Sequence, residues 1–172
     1  MKGAYTIRRA DQADLGQLEA LLSALQDHLE ASNPSLWRMT SQGRRQLKAR
    51  LASRLAAPAS CAFVAEHPRD GVIGVAFGRI TANNRYTPSR AGSVDQLYVH
   101  PRHRRARVGT RLVWALCEFF AQTGVDHLTL RYVVGNQEAA AFWADLGFQP
   151  RILTVGARRQ AVEAQIYPPR DA

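Results

Sequence analysis

A strand, a helix and a second strand follow one another between residues 93 and 134, and this succession constrains the fold more than any other feature of the chain. The first strand, SVDQLYVHP, ends at Pro101, and HLTLRYVV supplies the second strand. The helix between them ends near Gly124. Its apolar face is made of Val108, Leu112, Leu116 and Phe119. Because a helix that joins two strands of one sheet returns the chain to the same edge, the two strands are expected to be parallel neighbours.

The chain before this unit predicts antiparallel pairing. CAFVAEH and GVIGVAFGRI are short apolar runs joined by the turn signal PRDG, which favours a hairpin. YTIRRA at residues 5–10 is expected to be a first strand, and Asp11 and Asp14 mark the start of a helix with leucines at spacings of three and four. A second amphipathic helix carries Leu47, Leu51 and Leu55 on one face.

A shorter helix, GNQEAAAFWADLGF, and at least one more strand are expected to complete the chain. The fold class is therefore α/β: a central mixed, mostly antiparallel sheet flanked by helices. A length of 172 residues without a long linker predicts a single domain over residues 1–172.

The charge of the chain does not by itself identify a partner. The formal net charge of +9 comes from 21 arginines and only two lysines, a ratio that a GC-rich genome produces through codon usage alone. The chain has no aromatic interleaving and no zinc, RRM or KH signature, so nucleic-acid binding is not predicted. Neither the five histidines nor the two cysteines show metal-ligand spacing, so no metal is expected.

The hydropathy pattern predicts neither a membrane span nor an export signal. No stretch approaches the roughly 18 uncharged apolar residues that a span requires. The beginning of the chain, MKGAYTIRRADQADL, lacks the apolar core of a secretory signal. A cytoplasmic location without membrane association is therefore expected.

The segment RHRRARVGTRL at residues 102–112 is the strongest candidate for a binding site. It follows a strand and opens a helix, whose first turn presents backbone N–H groups without partners and the positive end of the helix dipole. A phosphate is stabilised in such a place, and Gly109 lets the backbone approach it closely. A basic helix start without a ligand and a nucleic-acid patch remain the alternatives.

The same segment resembles motif A of the GNAT superfamily of acyl-CoA-dependent N-acetyltransferases, Q/R-x-x-G-x-G/A after a strand that ends in V-x-P. Val99-His100-Pro101 matches the strand end, and the six residues 104–109 match the loop. Residues 136–148, NQEAAAFWADLGF, resemble motif B, N-x-x-A-x-x-x-Y-x-x-x-G-F, with every spacing kept. The resemblance covers nearly the whole chain and implies the fold of that superfamily, in which the fourth and fifth strands splay apart.

The resemblance implies a binding site for acetyl-CoA as co-substrate. The residues whose amides would hold the pyrophosphate are Arg104, Arg105, Ala106, Arg107, Val108, Gly109 and Thr110. Backbone groups of Leu97, Tyr98 and Val99 would bind the pantetheine arm. Its other side would be lined by Asn136, Ala139 and Phe142, with Trp143 packing against the arm or the helix core.

Two positions depart from the family pattern. Arg107 stands where the middle glycine is usual, which costs about 1 kcal/mol if that position requires a positive φ. Trp143 stands where many members have a tyrosine that protonates the departing thiolate, and an indole is not an acid at neutral pH. Tyr98 and Tyr132 are the substitute candidates, and each has a structural alternative.

A carboxylate near the splay is expected to take the amine proton, and Asp95 on the fourth strand is the candidate. Its alternative role is to cap a turn or to pair with an arginine. The predicted activity is direct acetyl transfer to a primary amine of a small molecule, with the first two helices and the loop at residues 33–37 on the acceptor side. A protein N-terminus or lysine as acceptor, and a non-catalytic acyl-CoA-binding module, stay open, as does a homodimer.

Overall fold

A computed structural model describes residues 5–33 and 38–166 of the chain. In chain order its elements are β1 (Thr6–Arg9), α1 (Leu15–Ser32), α2 (Ser41–Arg45), α3 (Leu47–Ala56), β2 (Ser60–His67), β3 (Gly71–Ala82), β4 (Arg90–Val99), α4 (Val108–Gln122), β5 (Leu128–Leu130), α5 (Gln137–Asp145) and α6 (Arg159–Ile166). The chain divides into two compact units, one up to Gln137 and one from Glu138. Residues 34–37 of the expected acceptor loop lie outside the described residues.

The first unit contains a five-stranded sheet in the order β1-β2-β3-β4-β5. The pairs β1–β2, β2–β3 and β3–β4 are antiparallel, and the pair β4–β5 is parallel. The predicted mixed, mostly antiparallel sheet with helices beside it is thereby confirmed. The parallel pair arises because α4 carries the chain from the end of β4 back to the start of β5.

The two faces of the sheet are covered by different helices. On one face, α1 and α3 bury an apolar cluster with the strands, in which Leu18, Leu51, Val75 and Phe77 are almost fully buried. On the other face, α4 lies so close that a Cβ at Gly78 would stand 2.9 Å from the ring of Phe120. Position 78 therefore requires glycine, and α4 is held firmly against the centre of the sheet.

A β-bulge interrupts the pairing of β3 with β4. Phe77 pairs with Gln96 and Gly78 pairs with Val94, so Asp95 is the extra residue. Side chains of a regular strand alternate between the faces, and one extra residue breaks this alternation. The side chains of Asp95 and Gln96 consequently both reach the face covered by α3, where both are bonded to Arg54.

Two expectations about the end of the chain are corrected. The fifth strand covers only Leu128–Leu130, not the whole run HLTLRYVV. The further strand expected after residue 148 is wrong for the described residues, since 151–158 form no regular structure and 159–166 form α6. Every residue from 151 to 166 is exposed, including Ile152 and Val155, so these apolar residues have no sheet neighbour to pair with.

Asp14 links the first strand to the first helix. Its buried carboxylate accepts hydrogen bonds from both terminal nitrogens of Arg8, at 2.7 and 2.8 Å, and from the amide of Asp11 at 2.9 Å. The bonds from Arg8, followed by that from the Asp11 amide, hold the pKa of Asp14 below its ordinary value of 3.8. The stabilisation is therefore present above pH 3.8 and is lost as the pH falls through the lower pKa of the folded state.

We expect Asp14→Asn to lower the free energy of unfolding at pH 7 by about 2 kcal/mol, because it removes the buried carboxylate charge and leaves Arg8 paired only with the half-exposed Glu66. Urea unfolding at pH 7 and at pH 3 measures the effect, which should shrink at the lower pH. The exposed Asp126→Asn is the matched control and should change stability by less than about 0.5 kcal/mol. A loss at Asp14 that is equal at both pH values would contradict the role of its charge.

Candidate active site

The fourth strand extends well beyond the end of its parallel neighbour. β5 pairs only with Gly92, Ser93 and Val94, whereas β4 continues to Val99 along β3. Over residues 95–99, the edge of β4 that faces away from β3 has no strand partner in the described part of the chain. An open strand edge of this kind offers backbone donors and acceptors to an extended ligand.

The register shows which backbone groups face this open edge. The amide of His100 donates to the carbonyl of Ile73 at 2.8 Å, so His100 and, two residues away, Tyr98 direct their backbone groups towards β3. The backbone groups of Leu97 and Val99 face the opposite way. The carbonyl of Val99 accepts a bond from Nε of Arg104 at 3.3 Å, so the N–H and C=O of Leu97 and the N–H of Val99 are the groups on offer.

The loop from β4 to α4 forms a cluster of backbone amides. The first helical bond of α4 runs from the amide of Arg111 to the carbonyl of Arg107, so the amides of Val108, Gly109 and Thr110 have no acceptor within the helix. Arg105 and Arg107 both have a positive φ, of 59° and 60°. Residues in this conformation turn successive N–H groups towards a common concavity that suits an anion.

The side chains around this loop add positive charge and fix its shape. Arg102, Arg105 and Arg107 are exposed at the start of the helix dipole. The hydroxyl of Tyr5 donates to the carbonyl of Ala106 at 3.1 Å, which ties this carbonyl to the start of β1. The guanidinium of Arg111 lies 5.5 Å from the ring centre of Tyr5. The loop is therefore anchored, strongly cationic and rich in unpaired donors.

Arg107 occupies a conformation that normally favours glycine, so the strain considered from the sequence is present. We expect Arg107→Gly to be more stable than Arg107→Ala by about 1 kcal/mol, because both lose the charge but only alanine keeps the strained Cβ. The same two substitutions at Arg111, inside the helix, should rank in the opposite order, with the alanine variant more stable than the glycine variant by about 1 kcal/mol. Urea unfolding of the four variants measures both differences. If alanine is more stable than glycine at both positions, the backbone at Arg107 is not strained.

A polar cluster surrounds Asp95 on the face opposite α4. One carboxylate oxygen of Asp95 accepts from Arg54 at 2.9 Å, and the other accepts from the hydroxyl of Ser93 at 2.7 Å. Nε of Arg79 lies 3.4 Å from this second oxygen. Arg54 also donates to the amide oxygen of Gln96 at 2.6 Å and stacks 4.5 Å from the ring centre of Phe77. Asp95 is thus paired with arginine, and it stands where β5 leaves β4.

Arg54, Gln96 and Arg79 were not identified from the sequence. Arg54 and Asp95 are 41 residues apart, and only the folded sheet brings them together. The bulge that turns Gln96 towards Arg54 has no marker such as glycine in the strand. The run of basic residues on α2 and α3 is the available signal, but such a run is more typical of a solvated helix face.

The two tyrosine candidates lie in different surroundings. The side chain of Tyr98 is buried in the cluster covered by α1 and α3, and its hydroxyl forms no hydrogen bond with a described residue. Tyr132 follows β5 and is 37% exposed. Burial raises the pKa of Cys61 to about 11, and partial burial together with the charge of Glu118 raises that of Cys117. Neither thiol is ionised at neutral pH, so neither is an activated nucleophile.

In the second unit, an aromatic group is built around Trp143. Its ring lies edge to face with Phe142 at 4.9 Å and with Phe148 at 5.4 Å between ring centres. Trp143 is buried, and its carbonyl accepts from the amide of Phe148 at 3.0 Å. Trp143 therefore packs within the helical core of this unit. Asn136 belongs to the first unit and Ala139 to the second.

The described residues contain neither a metal-binding cluster nor a membrane-spanning helix. No group of three or more histidine, cysteine, aspartate or glutamate side chains is arranged to hold a metal ion there. None of the described helices combines the length and hydropathy needed to cross a bilayer.

An open strand edge beside an anchored, cationic cluster of amides is suited to an extended ligand with a phosphate-bearing end. The Acetyltransferase (GNAT) family is matched over residues 22–148, which is most of the chain. The chain belongs to this family, whose members use acetyl-CoA, and the resemblance found in the sequence is confirmed. No curated protein matches the chain.

Several solved structures share the fold. A tetramutant of the BH1408 protein from Bacillus halodurans superposes with a TM-score of 0.79 at 16% identity, over 89% of this chain and 99% of that one. The aminoglycoside 6'-N-acetyltransferase AAC(6')-Ih from Acinetobacter baumannii gives 0.72 at 16% identity, over 91% and 98%. The aminoglycoside N-acetyltransferase AAC(6')-Iy, in complex with CoA, gives 0.68 at 17% identity, over 91% and 95%.

Proposed function

We propose that the protein transfers an acetyl group from acetyl-CoA directly to the primary amine of a small molecule, with both substrates bound at once. The observation that carries the proposal is the position of the unpaired amides of residues 105–110, immediately after the open edge of β4. One extended molecule with a diphosphate at one end and amide groups along its arm would satisfy both sets of donors.

The proposed cofactor site uses mainly backbone groups. The amides of residues 105–110 and the arginines of that loop would bind the pyrophosphate through charge-assisted hydrogen bonds, whereas the amide of Arg104 already donates to the carbonyl of Pro101 at 3.3 Å. The C=O of Leu97 and the N–H of Val99 would bind the amides of the pantetheine arm. Asn136, Ala139 and Phe142 are also proposed, from the family motif, to contact the cofactor.

Acetyl-CoA supplies an activated thioester, and the residues around it orient and polarise the reacting groups. The N–H of Leu97 would donate to the carbonyl oxygen on which negative charge develops. The hydroxyl of Tyr98 is proposed to protonate the departing thiolate, which requires it to reach the open edge of β4. Since both thiols are protonated at neutral pH, direct attack by the amine is favoured over an acyl-enzyme.

Asp95 is proposed to bind the acceptor amine and to take its proton. A carboxylate has about four acceptor sites, and the hydrogen bonds from Arg54 and Ser93 use two of them. If Asp95 takes the proton, Asp95→Asn lowers kcat/KM much more at pH 7 than at pH 9, where more of the amine is already neutral. A loss of equal size at both pH values would remove Asp95 as the base.

Thermal unfolding and thiol release test the proposed function. Acetyl-CoA should raise the Tm, since a ligand that binds only the folded state stabilises it. CoA thiol should appear when a panel of small amines, peptides and proteins is added. No shift in Tm at millimolar acetyl-CoA would overturn the cofactor assignment. Turnover of peptides alone would transfer the activity to a protein acceptor, and binding without any turnover would leave a non-catalytic acyl-CoA module.

A further inference from the structure

The helix α3, which covers the proposed acceptor face of the sheet, belongs to a basic stretch of the sequence. Residues 31–65 contain no aspartate or glutamate. Their basic residues are Arg38, Arg44, Arg45, Lys48, Arg50 and Arg54. Arg44 is paired with Asp27 and Glu30 of α1. The remaining positive charge on α2 and α3 is only partly compensated, by Asp95 at Arg54.

Two guanidinium groups contact this one carboxylate, and a third lies near Arg54 on α3. Arg54 binds Asp95 directly, Arg79 approaches it from β3, and Arg50 lies one helical turn before Arg54. Burial lowers the pKa of Arg54, the positive charges of Arg79 and Arg50 lower it further, and Asp95 raises it. The cluster therefore has an excess of two positive charges, and its electrostatic energy falls when an anion is added.

Arg79 is the member of the cluster best placed to bind a ligand. Its side chain is 52% exposed, and its Nε lies 3.4 Å from Asp95. Its two terminal nitrogens form no hydrogen bond with any residue in 5–33 or 38–166. A guanidinium with this free edge binds a carboxylate or phosphate through two parallel hydrogen bonds. Arg54, by comparison, is held by Gln96, Asp95 and Phe77 and fixes the cluster in place.

The cluster lies within reach of the proposed transfer point. Asp95 and Leu97 are two residues apart on β4, which corresponds to about 7 Å along a strand. α4 covers one face of the sheet, whereas Arg54, Asp95 and Gln96 are on the other, so an acceptor can approach without crossing the phosphate site. One small molecule that carries both groups could therefore place its amine at Asp95 and its anionic group at Arg79.

Building on the proposed acetyl transfer, we propose that the acceptor is a small amine that also carries an anionic group, a carboxylate or a phosphate, and that Arg79 binds this group. The charge of the site selects against polycationic amines, since bringing a second cation to three guanidinium groups is unfavourable. The proposed acceptor therefore differs from the aminoglycosides that give two of the structural neighbours their names.

Thiol release at constant ionic strength tests the inference with matched acceptors. The pairs are 4-aminobutyrate with its amide, glutamate with its diamide, and phosphoethanolamine with ethanolamine, and spermidine and kanamycin are the polycations. After correction for the fraction of neutral amine, we expect kcat/KM to be at least about tenfold higher for the anionic member of a pair. The relative rates of the carboxylate and phosphate pairs identify the preferred anion.

The variant Arg79→Gln tests whether Arg79 causes the preference for anionic amines. It should lower kcat/KM for the anionic amine at least about tenfold, mainly through KM, and change that of the neutral amine less than twofold. Arg79→Lys should restore part of the loss, and Arg85→Gln, at an exposed arginine of the β3–β4 connection, is the control.

Equal losses for both members of a pair would show a structural role for Arg79 and overturn the inference. Turnover of polycations in preference to anionic amines would overturn it and leave the proposed acetyl transfer intact. Thiol release with none of the amines would overturn both.

Discussion

Gly109→Asp is expected to weaken the binding of acetyl-CoA at least about 100-fold, which corresponds to about 2.7 kcal/mol. Gly109 is the second residue of α4, among the amides that have no acceptor within the helix. A carboxylate placed there would stand beside the proposed pyrophosphate, and like charges about 4 Å apart repel by about 4 kcal/mol near a protein surface. Isothermal titration calorimetry with CoA and acetyl-CoA measures the change.

The same substitution should not weaken the fold. An acidic residue in the first turn of a helix is favourable by about 0.3–1 kcal/mol, so the free energy of unfolding without ligand should stay the same or rise. Gly109→Asn, which has nearly the same shape without the charge, is the matched control and should lose less than about tenfold in affinity. If the aspartate and asparagine variants bind equally well, the diphosphate does not lie at the start of α4.

The placement of this loop was predictable because local signals determine it. Pro101 ends the strand, and apolar residues with helical spacing begin at Val108, so the segment between them had to be a turn at the start of a helix. The hairpin of β2 with β3 and the parallel pair of β4 with β5 were predictable for the same reason, since a short turn and a helical crossover each leave few possible pairings. Arg107 was recognised as the departure in this loop, but its φ of 60° could not be derived from its identity.

The acceptor side was much less predictable because it depends on distant contacts. The sequence identified Asp95 as a candidate but left its pairing open, and its partners come from α3 and β3. The bulge at Asp95 reverses the expected alternation of the strand and cannot be recognised from the residues alone. The predicted β5 is too long because Tyr132, Val133 and Val134 continue its apolar pattern, although β4 no longer pairs with them. Apolar periodicity predicts a strand but does not say where its neighbour ends.

Leu97→Pro is expected to lower kcat by about 10²–10³, the effect of removing one donor to a developing oxyanion. The N–H of Leu97 faces the open edge of β4, so proline removes this donor without breaking a hydrogen bond to β3. The carbonyl of Leu97 and the N–H of Val99 remain available for the pantetheine arm. The affinity for CoA should therefore change less than about tenfold while the chemical step slows.

Two further variants separate this effect from a general loss of structure. Leu97→Ala keeps the amide and should retain kcat within about threefold, because only packing of a half-buried side chain is lost. Tyr98→Pro removes an amide that faces β3, so it should destabilise the sheet by about 3 kcal/mol and lower the Tm. Circular dichroism and calorimetry establish that Leu97→Pro is folded and binds CoA. A folded Leu97→Pro protein with the kcat of the wild type would show that the thioester carbonyl lies elsewhere, because the amide proposed to stabilise it would then be dispensable.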